Sequence, residues 1–390
     1  MKKNTLSPET LAIHAGNDSD PTTGAVAQNL VFSTTFVRDE DGQLVAGRDI
    51  YSRASNPNRR ALEEKLAALE NGANAIAFPS GQAATLSIFH ALGTGSHIIL
   101  PDDIYYNTRV IIENLYQNWG LSFTAVDMSN LSNIKKAIKK NTQLIWIETP
   151  SNPSLKVADI QAICQFAKTK NIPVACDNTW ASPYFTQPFS LGADVIMHST
   201  TKYMGGHSDI IGGCVLLPEN SPFYQKIRDF QVIGGAVPSP FDCWLLFRSL
   251  STFYARMPIH GKNAMQLAQY LEKHPAIEKV HYPGLKSNEF HRIAKKQMKN
   301  PEGVPSFGGM MSILVKGSEI DAMKVASKLK IFKHATSLGG VESLIEHRKS
   351  VEGIHSVSPE NLLRISVGIE NIHDLIQDFE QALRNIDVRD

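Results

Sequence analysis

Cysteine is scarce in this 390-residue chain, and its placement suggests no metal or redox chemistry. Cys164, Cys176, Cys214 and Cys243 lie far apart, with no CxxC pair. Neither a disulfide framework nor a zinc site is suggested, and reduced, mostly buried thiols are expected. Long apolar runs are missing too, and nothing approaches the roughly 18 to 20 residues that a bilayer span requires. The opening MKKNTLSPETLAIHAG carries two lysines with no apolar stretch behind them. A cytoplasmic protein with no membrane partner is therefore expected. A surplus of one charge is also absent: 39 basic and 38 acidic residues leave a net +1. That balance gives no electrostatic reason to expect nucleic acid, and a small neutral or zwitterionic ligand fits better. No GxxxxGKS/T motif occurs, which argues against a nucleoside triphosphate. No internal repeat is evident.

With 42% hydrophobic and 20% charged residues, the chain can bury a large core in two or three structural units. Between Ala73 and Leu217, short β-branched runs alternate with segments of helical period. The predicted strands are NAIAFPS (74–80), HIILP (97–101), SFTAVD (122–127), LIWIET (144–149), IPVACD (172–177), ADVIMHS (193–199) and GGCVLL (212–217). Leu62, Leu66 and Leu69, then Ile160, Ile163 and Phe166, recur at the spacing of a buried helical face. The pattern predicts an α/β fold with a large, mainly parallel sheet covered by helices. Lys135, Lys136, Lys139 and Lys140 share a helical period and read as a solvated face. A helical stretch around 239–263, followed by HYPGL, GGMMSILVKG and LLRISVGIE, predicts a smaller α+β unit. The first fifty residues show little period of either kind and read as an arm that lies against something else.

In open α/β sheets, ligands gather beyond the carboxyl ends of the strands. Ser80, Gly81 and Gln82 follow one predicted strand and open a helix, where free N–H groups and the helix dipole can cradle a phosphate. Glu148 and Asn152 follow another, Asp177, Asn178 and Thr179 a third, and Ser199, Thr201 and Lys202 a fourth. An exposed lysine has a pKa of about 10.4, but desolvation at a sheet edge lowers it and makes the amine able to form a Schiff base. A carboxylate such as Asp177, ending a buried strand, is costly unless it meets a cation or a bound heteroaromatic nitrogen. Pyridoxal 5′-phosphate (PLP) supplies that nitrogen, an aldehyde for a lysine and a phosphate for the cradle.

YSRASNPNRRALE, PSGQAA, IETPSNP, ACDNT, HSTTKYMGGHSD, SLGGVESL and LLRISVGIE occur in this order from Tyr51 to Glu370. With these motifs the chain resembles the transsulfuration (Cys/Met metabolism) family of PLP-dependent enzymes. The resemblance implies PLP-dependent transferase fold type I, the aspartate-aminotransferase-like fold. Residues 1–52 would form an arm contacting a neighbouring subunit, 53–248 the PLP-binding domain and 249–390 the C-terminal α+β domain. A homotetramer is implied, a dimer of dimers with shared active sites. Lys202 would bind the cofactor covalently, Asp177 would meet the pyridine nitrogen, and Ser199, Thr201, Ser80, Gly81 and Gln82 would hold the phosphate. Tyr51 and Arg53 would reach that phosphate from the neighbouring subunit. Tyr105 would stack on the ring and help to move protons, and Thr179 would flank the ring. Arg364, with Asn152 and Ser337, would bind the α-carboxylate of a small sulfur amino acid.

Glu342 matches a distal acid that implies chemistry at Cγ of cystathionine or an O-acylhomoserine. A cystathionine γ-synthase or γ-lyase is therefore the first expectation, a β-lyase the second and an O-acylhomoserine sulfhydrylase the third. Ile50 precedes Tyr51 where many γ-enzymes carry another acid. Tyr106 and Asn107 replace small residues beside Tyr105, which implies a narrower wall. IEHRKSVEG (345–353) replaces the usual proline-alanine and threonine-histidine pattern. The resemblance gives His347 and Arg348 no role; lining the entrance or standing solvated after a helix are the two readings.

Overall fold

The computed structural model describes residues 6–45, 47, 49–218, 221–353 and 358–384. Twelve strands are named in chain order: β1 (Asn74–Phe78), β2 (His97–Pro101), β3 (Ser122–Val126), β4 (Thr142–Glu148), β5 (Val174–Asp177), β6 (Val195–His198), β7 (Gly213–Leu217), β8 (Ile277–His281), β9 (Met310–Val315), β10 (Lys333–His334), β11 (Leu344–His347) and β12 (Leu362–Ser366). A 7-stranded sheet runs β1-β7-β6-β5-β4-β2-β3. The strands β6, β5, β4, β2 and β3 are parallel, and β7 is antiparallel to both of its neighbours. The predicted strands fall on these elements with ends shifted by one or two residues.

Helices cover this sheet as the apolar spacing requires. Leu62, Leu66 and Leu69 of the helix Pro57–Leu69 are buried, as are Ile160 and Ile163 of the helix Ile160–Lys168. Each helix begins on a short polar cap: Asn56 accepts from the N–H groups of Asn58 and Arg59, and Asp159 from that of Ala162. Inside, Phe89 meets Trp146 edge to face with ring centroids 5.3 Å apart. All four cysteines are free and buried.

The second sheet, 5-stranded, runs β10-β11-β12-β9-β8. Ile313, Val315, Leu363 and Ile365 pack with Leu375 and Phe379 of the helix Ile372–Leu383. The same apolar cluster continues through the helices Pro240–Leu250 and Phe253–Leu271 to Leu62 and Leu66, so the two sheets share buried packing. Among the described residues no helix is long and apolar enough to cross a membrane.

Two details depart from the sequence reading. The opening segment is not wholly irregular: Pro8–His14 is helical and buries Ala12. At 7 residues it is too short for an apolar period to register. Of the four periodic lysines, only Lys135 and Lys136 are helical, because the helix Leu131–Ala137 ends before Lys139 and Lys140.

Candidate active site

The carboxyl ends of β4, β5 and β6 face the β12 side of the smaller sheet, and the chemistry-bearing residues converge there. Lys202 lies four residues beyond β6. Its Nζ donates to Ser337 Oγ at 2.6 Å. Burial lowers its pKa from 10.5 to about 8, with the Arg364 charge pushing the same way and Glu346 opposing. Ser337 has φ 88°, a left-handed conformation that a serine adopts only where its surroundings enforce it. The enforcing contact is visible at Gly339, where a Cβ would lie 2.6 Å from the Tyr203 nitrogen. Only glycine lets the SLGG loop close on the Lys202 loop. From below, Arg256 donates to the carbonyl of Tyr203 at 2.9 Å and fixes the same turn.

Arg364, on β12, is buried among polar partners. Its Nη1 donates to Asn152 Oδ1 at 3.1 Å, and its Nη2 to the Ser337 carbonyl at 3.1 Å. Burial lowers its pKa to about 10, so it remains a cation at neutral pH. A third contact is one that neither spacing nor motif suggests: Glu346 Oε2 lies 2.5 Å from Arg364 Nη2. Glu346 stands opposite Arg364 in the antiparallel pairing of β11 with β12. Arg348 joins the same carboxylate at 2.8 Å. Arg348 and His347 are buried rather than solvated, which overturns that reading of the segment. His347 bonds Ser350 Oγ and the Glu360 carbonyl, both at 2.7 Å.

Asp177 ends β5, buried, and Glu148 ends β4 directly opposite it. The Asp177 carboxylate accepts from the Thr179 N–H at 3.0 Å, and burial raises its pKa. Glu148 accepts from the Tyr105 N–H at 3.0 Å. Burial and the nearby Asp177 raise its pKa well above the usual carboxylate range. Two carboxylates on neighbouring strand ends cannot both ionise cheaply, and burial favours the protonated form of Glu148. Thr179 Oγ1 accepts from the Ser199 N–H at 2.9 Å and ties the ends of β5 and β6 together. Tyr105 is 40% exposed, and its hydroxyl accepts from Asn107 Nδ2 at 3.0 Å.

The helix Gly81–Leu92 starts beside this group. Ser80 caps it, accepting from the Ala83 N–H at 3.1 Å. At Gly81 a Cβ would lie 2.8 Å from Ser199 Cβ and Oγ, so the helix start and the Ser199 hydroxyl share a space that glycine keeps open. Gln82 Nε2 is buried with no partner among the described residues. An orphaned donor, the first N–H groups of a helix and a hydroxyl together suit a phosphate. Thr201 Oγ1 spends its proton on the Gly212 carbonyl, at 3.1 Å, and accepts the Gly212 N–H at 3.0 Å. PLP fits this set: an amine of lowered pKa, a buried carboxylate in need of a cationic nitrogen, and an anion cradle.

Two groups of sequence-named residues lie apart from this cluster. Tyr51 and Arg53 are exposed, and Arg53 Nη1 donates to the Val232 carbonyl at 2.7 Å. Glu342 accepts from Ser208 Oγ, six residues beyond Lys202.

Comparison with known proteins agrees with the geometry. Residues 9–384 match the family described as Cys/Met metabolism PLP-dependent enzyme. A cystathionine gamma-lyase of Dictyostelium discoideum is 46% identical, covering 96% of this chain and 97% of that protein. A cystathionine gamma-synthase of Mycobacterium bovis is 45% identical, covering 96% of each. A cystathionine beta-lyase of Coxiella burnetii is 42% identical over 96% of this chain and 97% of its own length. The crystal structure of metB from Corynebacterium glutamicum superposes with a TM-score of 0.93 at 41% identity, covering 99% of this chain and 100% of that one. The chain belongs to the Cys/Met metabolism family of PLP-dependent enzymes, with fold type I and PLP as its cofactor.

Proposed function

We propose that this transsulfuration enzyme acts at Cγ of cystathionine or an O-acylhomoserine, as a cystathionine γ-synthase or γ-lyase. Relatives bearing those two names, at 46% and 45% identity over nearly the full length, support the reading. The observation that carries it is the grouping of Lys202, Ser337, Arg364 and Asn152, with Glu342 one loop away on Ser208. The bound cofactor supplies the electron sink that makes the substrate's Cα proton removable.

The chain's own residues divide the remaining work. Arg364 takes the α-carboxylate, and Asn152 and the Ser337 carbonyl hold its guanidinium in plane for that contact. Lys202 would anchor the cofactor covalently. Its amine accepts a proton at Nζ, and Ser337 Oγ holds that nitrogen in place. For a leaving group at Cγ the same amine also moves protons at Cβ. Asp177 would meet the ring nitrogen as an anion, and Glu148, whose burial favours the protonated form, fixes Tyr105 through its backbone N–H. Ser80, Gly81, Gln82 and Ser199 would hold the phosphate, Thr201 would join them once its hydroxyl turns from the Gly212 carbonyl, and Thr179 and Tyr105 would flank the ring. Glu342 receives the second amino group of a long substrate.

The same reading divides the chain into an arm (1–52), a PLP-binding domain (53–248) and a C-terminal domain (249–390), in a cytoplasmic homotetramer with shared sites. Val26, Phe32, Val37 and Leu44 stand exposed along the arm, an apolar surface suited to a second subunit. Four buried free thiols suit a reducing compartment.

Product identification tests the reaction. Purified enzyme given cystathionine alone is expected to release cysteine and 2-oxobutyrate. Given an O-acylhomoserine with cysteine, a γ-synthase forms cystathionine. Homocysteine with pyruvate from cystathionine would instead make it a β-lyase and remove Glu342 as a guide.

A further inference from the structure

Glu346 has no part in the chemistry described above, yet it makes the shortest contact to Arg364. Its Oε2 lies 2.5 Å from Arg364 Nη2 and 2.8 Å from Arg348 Nη1. Arg348 Nη2 lies 2.5 Å from Glu352 Oε1. Glu346, Arg348 and Arg364 are 2%, 5% and 4% exposed, so these charges are barely screened by water. Glu346 Oε1 and Arg348 Nε are buried without a hydrogen-bond partner among the described residues, so the cluster has bonding capacity to spare.

The space around Arg364 Nη2 is the key. This nitrogen donates to the Ser337 carbonyl, and the Glu346 carboxylate lies against it as an ion pair at 2.5 Å. A carboxylate gripped at two points needs one hydrogen from Nη2 whichever edge of the guanidinium it approaches. One of the two oxygens already against Nη2 must therefore give up its place. The Ser337 carbonyl belongs to a loop that Gly339 locks against the Lys202–Tyr203 peptide. Glu346 is a side chain with a second cation already in contact. We propose that Glu346 is an exchangeable counter-ion of Arg364, and that Arg348 is the positioning residue that retains it when a substrate carboxylate arrives. The pair then sets how tightly the enzyme grips its substrate's carboxylate. The inference rests on the reading that Arg364 binds that group.

Opposite signs make it testable. Neutralising Glu346 removes a competitor and a repulsive charge. Neutralising Arg348 leaves Glu346 with Arg364 alone and strengthens the competitor. The probe is 2-hydroxybutyrate, which has the carboxylate but no amine, titrated calorimetrically into the holoenzyme, with KM and kcat measured alongside. Glu346→Gln is expected to bind the probe roughly fivefold tighter, the net of one buried charge contact after desolvation offsets most of it, and to lower KM. Arg348→Met is expected to weaken binding by a similar factor and raise KM, Arg348→Lys to restore it, and the double variant to follow Glu346→Gln. Unchanged or weaker binding by Glu346→Gln overturns the proposal, since Glu346 would then only orient Arg364. That isosteric variant decides the matter even if Arg348→Met fails to fold. Arg364→Lys separates the two levels. If it binds the probe like the parent, Arg364 is not the carboxylate site and both readings fall. If it loses the probe while Glu346→Gln changes nothing, only the exchange is refuted.

Discussion

Lys202 Nζ and Ser337 Oγ lie 2.6 Å apart, although 135 residues separate them in the chain. The contact joins the loop after β6 of the larger sheet to the loop before β11 of the smaller one. A catalytic amine held this way depends on both sheets, and a change in either reaches it.

Burial that lowers the Lys202 pKa to about 8 has a kinetic consequence. Only the neutral amine attacks an aldehyde, so cofactor uptake by the protein stripped of PLP is expected to rise with pH and level off above about 8. A climb continuing to 10.5 would show an ordinary, solvated lysine. Lys202→Ala is expected to keep the circular dichroism of the folded protein and to lose both the visible absorbance of lysine-bound cofactor and at least about 10³-fold in turnover. A variant with full activity would remove Lys202 from the chemistry.

Glu148 and Asp177 stand opposite each other and cannot both ionise cheaply, so their neutral isosteres separate their roles. Asp177→Asn is expected to cost about 10² or more in kcat/KM, because a neutral amide cannot hold a ring nitrogen as a cation. Glu148→Gln is expected to cost far less, because glutamine keeps an acceptor for the Tyr105 N–H and matches the protonated acid. The sign of the stability effect follows. The raised pKa means that the folded protein keeps a proton which the unfolded chain releases above about 4.5, so Glu148 costs stability as pH rises from there. Glu148→Gln should therefore raise Tm more in alkaline than in acidic buffer. Equal kinetic losses for the two variants would mean that Glu148 works as an anion.

What could be read from the sequence divides along physical lines. Short β-branched runs mark buried parallel strands, and the polar residues just past them, including Asp177 and Lys202, are placed by that rule alone. Arg364 and Asn152 needed the family motifs, because nothing local joins residues 212 positions apart. Glu346 escaped notice because its partner is chosen by the register of β11 on β12, which single-sequence patterns do not carry. The one available signal was the change of IEHRKSVEG from the family pattern, which marked the right segment but favoured no particular residue. Tyr51 and Arg53 were placed by resemblance at a neighbour's site, and within one subunit Arg53 reaches Val232 instead.

Glu342, held by Ser208 Oγ, tests substrate length. If its carboxylate receives a distal amino group, Glu342→Ala is expected to cost about tenfold in kcat/KM for cystathionine and much less for cysteine, which has no such group. Steady-state kinetics with both substrates provides the ratio. Equal losses would make Glu342 a support for the Ser208 turn.

The sharing of sites between subunits can be tested by mixing defects. Arg53 and Tyr51 stand exposed, with the Arg53 guanidinium 5.8 Å from the Tyr51 ring centre. If they complete a neighbour's phosphate site, Lys202→Ala and Arg53→Ala subunits bring their lesions together in a single site of a hybrid dimer. One site of that dimer receives both defects, and the other receives a native lysine and a native arginine. Each variant alone is expected to be nearly inactive, and unfolding them together and refolding the mixture is expected to restore activity. Native electrophoresis of charge-tagged subunits verifies that hybrids form. Hybrids without activity would mean that Arg53 serves the site of its own chain, and the arm would then be an oligomer contact with no part in cofactor binding.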